Sequence, residues 1–168
     1  AWQTPAPTLR LFGSLGRAVK NPTFTERFGF FKSFVGNPNL TPEQSTGWEL
    51  GLRITGEDNQ ARTSLSYFDT NLEDEINGFV FDAASGNFTA ANIDGESNRS
   101  GFELEHERQL ENNLFLHGSY TYIDSTSEDA LGRDIDEVRR PRHTASVSGS
   151  YQWDKAGLYV GIDYNGSQ

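Results

Sequence analysis

Hydrophobic and polar positions alternate with a period of two along most of the chain. Between His143 and Trp153, Ala145, Val147, Gly149, Tyr151 and Trp153 fall on one side, and Thr144, Ser146, Ser148, Ser150 and Gln152 on the other. Leu158, Val160, Ile162 and Tyr164 repeat the pattern, as do Leu114, Leu116, Gly118, Tyr120 and Tyr122 before them. Nearer the start, Trp48, Leu50, Leu52 and Ile54 alternate with Glu49, Gly51, Arg53 and Thr55. Successive side chains of a strand point to opposite faces, so a period of two reads as β-structure with one apolar face. The pattern predicts about seven strands, over 8–19, 44–55, 61–81, 88–109, 113–124, 143–153 and 157–166.

The connections sort by length. Tight turns are expected at 57–60, 111–113 and 154–157, and long links at 20–43, 82–87 and 125–142. Short turns at one rim and long loops at the other are the arrangement of outer-membrane barrels. A strand of about eleven residues, tilted about 40°, rises roughly 27 Å, close to the apolar band of such a barrel. Tyr120, Tyr122, Tyr151, Trp153 and Tyr164 fall near predicted strand ends, where aromatic girdles sit. An odd number of strands with two open edges would leave backbone groups unpaired in lipid. The expectation is therefore an all-β segment of a larger transmembrane barrel, with a soluble antiparallel β domain as the alternative.

Composition fits this pattern. Of 168 residues, 35% are hydrophobic and 12% aromatic, and there are 17 Gly. A soluble domain carries about 45–50% apolar residues with glycine included, a range this chain only just reaches. No apolar run is long enough for a membrane-spanning helix. The opening Ala1-Trp2-Gln3 has no Met and reads as an internal start. A net charge of -10 argues against nucleic acid as a partner. With no Cys, disulfides and thiolate-ligated metals are excluded.

The first long link holds Asn21-Pro22-Thr23-Phe24-Thr25-Glu26-Arg27-Phe28. Asn21 as N-cap, Pro22 at the first helical position and Glu26 in the opening turns predict a short helix. Phe24, Phe28 and Phe31 would share one side, with Phe30 and Phe34 nearby. That surface is either an aromatic contact for a ligand or the underside of a loop folded on itself. Carboxylates crowd the other links, with Arg99 the one base across 69–99 and with Arg133, Arg139 and Arg140 in the last. These three arginines are further candidates for ligand contact. No stretch has the spacing of a dedicated calcium loop, so the acids read as a solvated rim and no resident metal or cofactor is expected. Glu103, Glu105 and Glu107 alternate toward the polar face as structural groups. His106, His117 and His143 are isolated, and neither a nucleophile elbow nor a zinc-protease helix occurs, so no enzyme is expected.

Three stretches resemble TonB-dependent receptors. Gly16-Arg17-Ala18-Val19-Lys20-Asn21-Pro22 leads to Glu26-Arg27-Phe28. Gly36-Asn37-Pro38-Asn39-Leu40-Thr41-Pro42-Glu43 precedes Trp48-Glu49-Leu50-Gly51, and Asn92-Ile93-Asp94 precedes Gly101-Phe102-Glu103-Leu104-Glu105. Asn37, Pro38, Leu40, Pro42, Glu43, Gly101 and Glu103 carry the family signature. Physically, the two prolines hold an extended approach to the second strand, and Gly101 permits a close backbone approach or a bulge. The resemblance implies a roughly 22-stranded transmembrane β-barrel, plugged by an N-terminal domain, in the outer membrane of a Gram-negative bacterium. It implies uptake of a ferric siderophore first and cobalamin second, driven by the inner-membrane TonB complex through an N-terminal motif. The cargo would then carry iron or cobalt. Plug, N-terminal motif and terminal strands are expected outside residues 1–168. A passive porin-like or adhesin-like barrel is the alternative of another class.

Overall fold

The computed structural model describes residues 7–57, 59–93, 95–110, 113–128, 133–137 and 140–167. In chain order the elements are β1 (Thr8–Lys20), α1 (Phe24–Phe28), β2 (Glu43–Thr55), β3 (Ala61–Glu73), β4 (Ile76–Asp82), β5 (Asn87–Asn92), β6 (Glu96–Leu110), β7 (Leu114–Glu128), β8 (Asp134–Asp136), β9 (His143–Gln152) and β10 (Gly157–Asn165). Strands β1, β2, β3, β6, β7, β9 and β10 lie side by side in that order, and β8 pairs with the far end of β7. β4 and β5 form a separate hairpin.

Pairing in the main sheet is antiparallel and in unbroken register, and directly opposed residues share a face. The alternation of each strand therefore becomes a property of the whole sheet. Leu11, Leu52, Leu65, Leu104, Tyr120, Ala145 and Tyr164 form one continuous row on the apolar face. The neighbouring row, Arg10, Arg53, Ser64, Glu105, Ser119, Ser146 and Asp163, lies on the polar face. Leu11 and Ile162 are each 72% exposed, and so much contiguous apolar surface needs lipid or another partner to cover it.

Aromatic contacts mark the two borders of the apolar band. Toward the tight turns, Tyr151 and Trp153 lie 4.8 Å apart. Toward the long links, Phe102 stacks on Tyr122 at 5.5 Å, Tyr122 meets His143 at 5.2 Å, and Trp48 meets Tyr67 at 5.5 Å. The strands run on past this second border, with Asp69, Asn71 and Glu73 continuing the row of Tyr67, so Tyr120 and Tyr122 sit within β7 rather than near its end.

The predicted strands 61–81 and 88–109 are each broken in two. β3 stops at Glu73, Asp74 adopts φ 57, and the chain resumes as β4; on the return, Gly95 at φ 119 separates β5 from β6. A single strand over 61–81 would rise about 50 Å, twice the apolar band. It would also carry Glu73, Asp74 and Glu75 in succession through it. The expected link 82–87 is the tip of the β4–β5 hairpin, which carries a register shift between Asn77 and Val80. β7 likewise extends to Glu128, beyond the expected 124. The short helix forms, but Thr23 caps it in place of Asn21. Glu26 stands three residues after Thr23 and closes a reciprocal capping box: Thr23 N donates to Glu26 Oε2 at 2.6 Å, and Glu26 N to Thr23 Oγ1 at 3.3 Å.

Gly101 allows close approach rather than a bulge, because the register passes through it without a shift. A Cβ there would lie 2.1 Å from the carbonyl oxygen of Tyr122. Among the described residues the buried apolar side chains are Phe34, Leu40, Ile76 and Ala90, all of them in the long links and their hairpin.

Candidate functional site

The first two long links fold into one unit. Residues 33–35 dock on the hairpin through one parallel bridge between Phe34 and Phe88: Val35 N donates to Phe88 O at 2.8 Å and Phe88 N to Ser33 O at 2.9 Å. Phe34 is thereby buried among Phe30, Phe31 and Phe79, at 5.0, 6.4 and 5.3 Å. Gly29, at φ 75, ends the helix, and Gly36 packs so tightly behind it that a Cβ would lie 2.3 Å from the amide nitrogens of Phe28 and Gly29.

Asn37, Leu40 and Glu43 of the first-link signature stretch hold this unit together. Asn37 Nδ2 donates to Ala90 O at 3.1 Å, its own amide donates to Glu26 O at 2.8 Å, and its Oδ1 accepts from Asn39 N at 3.0 Å. Leu40 is buried, and its carbonyl accepts from Arg27 at 3.1 Å. Pro38 and Asn39 form a turn, closed by Leu40 N donating to Asn37 O at 3.4 Å, in place of the extended approach expected from the two prolines; beyond it Thr41 and Asn92 of β5 exchange two hydrogen bonds of 3.0 Å. Glu43 accepts from Lys20 Nζ at 2.9 Å and from the Ile76 amide at 2.8 Å, tying the unit to the wall. Gly101 and Glu103 lie elsewhere, on the polar face of β6 opposite Phe68 and Ser66.

The other sequence candidates divide. Phe24 and Phe28 lie 4.8 Å apart on the helix and are exposed, as is Phe31, which pairs with Phe34 in the turn beyond the helix because the helix has ended at Phe28. Phe34 lies beneath this aromatic surface, so its role is support and not ligand contact. Phe79, Phe81 and Phe88 complete the exposed aromatic face, with rings 5.2 and 5.6 Å apart. The sequence reading missed all three by placing 79 and 81 in one membrane strand and 88 at the start of the next. Arg133 is exposed directly before β8, Arg139 falls outside the described residues, and Arg140 is paired with Glu137.

The acids above the sheet are not all solvated. Arg99 contacts Glu75 at 2.9 Å and Glu137 at 2.8 Å, Ser97 Oγ donates to Glu75 at 2.9 Å, and Ser125 Oγ to Glu137 at 2.6 Å. Burial pushes the Glu137 carboxyl up, but hydrogen bonds from Arg99 and Ser125, with the charges of Arg99 and Arg140, outweigh it and hold the group below the usual glutamate range. On the polar face of the wall, Glu105, Glu107 and His117 each bring one ligand atom to within 4.8 Å of the others. There His117 pairs with Glu105 at 3.2 Å and Arg62 with Glu107 at 3.5 Å.

An unbroken antiparallel meander with one apolar and one polar face, tight turns at one end and structured loops at the other, is the wall of a transmembrane β-barrel. The chain belongs to the TonB-dependent receptor family: the model of the TonB dependent receptor-like β-barrel matches residues 1–168. It is 26% identical over 155 residues to the metal-pseudopaline receptor CntO of Pseudomonas aeruginosa, covering 91% of this chain and 20% of CntO. It is 28% identical over 165 residues to the vitamin B12 transporter BtuB of Photobacterium profundum, covering 94% of this chain and 25% of BtuB. The solved structure of the copper transporter OprC superposes with a TM-score of 0.68 at 19% identity, covering 92% of this chain and 23% of OprC. The chain thus spans about a fifth to a quarter of the length of these proteins. Members of the family are receptors and transporters of Gram-negative outer membranes, not enzymes.

Proposed function

We propose that the protein to which these residues contribute barrel wall imports a bulky metal complex across the outer membrane, with a ferric siderophore as first cargo and cobalamin as second. The observation that carries this reading is the exposed aromatic face built on a cored, hydrogen-bonded loop unit above the wall. Phenyl rings held in fixed positions bind the organic surface of a ligand by stacking and edge contacts. The named cargo of CntO, a metal joined to pseudopaline, accords with a metal complex. The name of BtuB keeps cobalamin in second place.

On this reading Phe24, Phe28 and Phe31 touch cargo, and Arg133, Arg139 and Arg140 are candidates for further contact from the last loop. The polar face of the wall lines the lumen, and an N-terminal plug occupies it. The inner-membrane TonB complex supplies the energy through the N-terminal region, and outer-membrane lipid covers the apolar face. The full-length gene, expressed in a strain stripped of its siderophore and cobalamin receptors, should restore uptake of radiolabelled ferric siderophore only when TonB is present. Uptake of cyanocobalamin alone would select the second cargo. Uptake that persists without TonB would overturn active transport in favour of a passive channel.

A further inference from the structure

Below the aromatic unit, one side chain on the rigid wall reaches both of the loops that flank it. Arg99 stands on the polar face of β6, paired across the sheet with Thr70 and Ser125. Its side chain is 17% exposed. Its Nη2 donates to Glu75 Oε1 at 2.9 Å and to Glu137 Oε1 at 2.8 Å, and its Nε reaches both oxygens of Glu137 at 3.2 Å. Glu75 follows Asp74, whose positive φ turns the chain out of β3 into the hairpin, and its carbonyl accepts from Ile93 N at 2.7 Å across the hairpin base. Glu137 lies in the last loop just past β8, and its amide donates to Ser125 O at 2.9 Å.

We propose that Arg99 is the positioning residue that fixes the β4–β5 hairpin and the 133–137 segment relative to each other, and so sets the geometry of the ligand-facing loops. The chemistry requires an arginine. A planar guanidinium can fork onto one carboxylate and still donate to a second, which a single ammonium cannot do in the same plane. The serines beside it, Ser97 and Ser125, are buried and each donates to one carboxylate, Ser97 to the Glu75 oxygen that Arg99 leaves free and Ser125 to Oε2 of Glu137, so both acids are oriented toward Arg99. Removing the cation takes away the one contact the two carboxylates share: Glu137 keeps Arg140, but nothing then draws Glu75 toward it and their like charges oppose the approach. Loops held in advance lose less freedom when a ligand arrives, which is how a residue that touches no cargo controls its affinity. The importance of this for uptake rests on the proposed function; the fixing of the loops does not.

The test uses the full-length receptor in detergent micelles, followed by amide exchange. Arg99→Met should speed exchange about tenfold in both 76–92 and 133–137, while the wall over 97–108 stays protected. Glu75→Gln should affect the first segment alone and Glu137→Gln the second alone. Arg99→Lys should fail to restore both together. In cells, with radiolabelled ferric desferrioxamine and cyanocobalamin as probes, Arg99→Met should raise the half-saturating concentration about tenfold at an unchanged maximal rate. Unchanged exchange in both segments overturns the proposal, and if Arg99→Met fails to fold, the two glutamine variants decide it in the same way. Faster exchange with unmoved half-saturation overturns it too, because Arg99 is then a brace that does not serve binding. A wild-type receptor that takes up neither probe counts against the proposed function alone, and the exchange result still decides the role of Arg99.

Discussion

Val147 and Val160 stand on the apolar face, 64% and 56% exposed, whereas Ser148 points to the polar side. Arginine at either valine should cost about 2–4 kcal/mol near mid-membrane, and at Ser148 much less, in a barrel refolding titration. Equal penalties would mean that the faces are reversed or that neither meets lipid. Glycines make a finer distinction. At Gly101 an added Cβ would run into the backbone carbonyl of Tyr122, on the strand paired with it, so Gly101→Ala should destabilise by about 1–3 kcal/mol. At Gly51 the nearest atoms belong to the Phe12 ring, at 2.3 Å, and a side chain can rotate away. Gly51→Ala should therefore be the milder change, and the reverse order would contradict the packing described.

The loop unit and its anchor make predictions of their own. Phe34→Ala empties the centre of the small core, a loss of about 3–5 kcal/mol for a well-packed phenylalanine. Thermolysin should then cut within 76–92 while the heat-modifiable migration of the barrel is retained. Cutting that remains at the wild-type rate would show that the hairpin is held without its core. The Glu137 anchor has a pH dependence of defined sign. Its carboxyl lies below the ordinary glutamate range in the folded protein, so its contribution is complete above that range, about 4.3, and is lost as pH falls through the lowered value. Amide exchange over 133–137 should stay slow down to pH values at which an exposed glutamate is already protonated, then quicken. Glu137→Gln should remove that transition.

At this scale the alternation located β1, β2, β7, β9 and β10 to within a few residues, because each is apolar on one side and polar on the other. It could not separate β4 from β3, because the apolar run Phe79-Val80-Phe81 reads as the continuation of a strand. The acid run Glu73-Asp74-Glu75 was the available signal that the chain had left the apolar band. The cap on Thr23 was equally readable from Glu26 three residues later. The role of Arg99 was not: its lone positive charge among acids was visible, but partners 24 and 38 residues away are set by topology. The signature stretch Asn37–Glu43 was identified by resemblance, and only the fold shows that its polar atoms stitch two loops together.

At the scale of the whole molecule, the sheet is a wall with lipid on one side and a polar lumen on the other. That claim is directly measurable with single cysteines introduced one at a time over 144–152, in a full-length receptor from which any cysteine outside these residues has been removed. With nitroxides attached and the protein in lipid bilayers, collision with oxygen, which dissolves in the membrane, should be high at 145, 147, 149 and 151. It should be low at 144, 146, 148, 150 and 152, repeating the period of two in the sequence itself. Uniform collision rates along β9, or maxima at the even positions, would contradict the barrel wall described here.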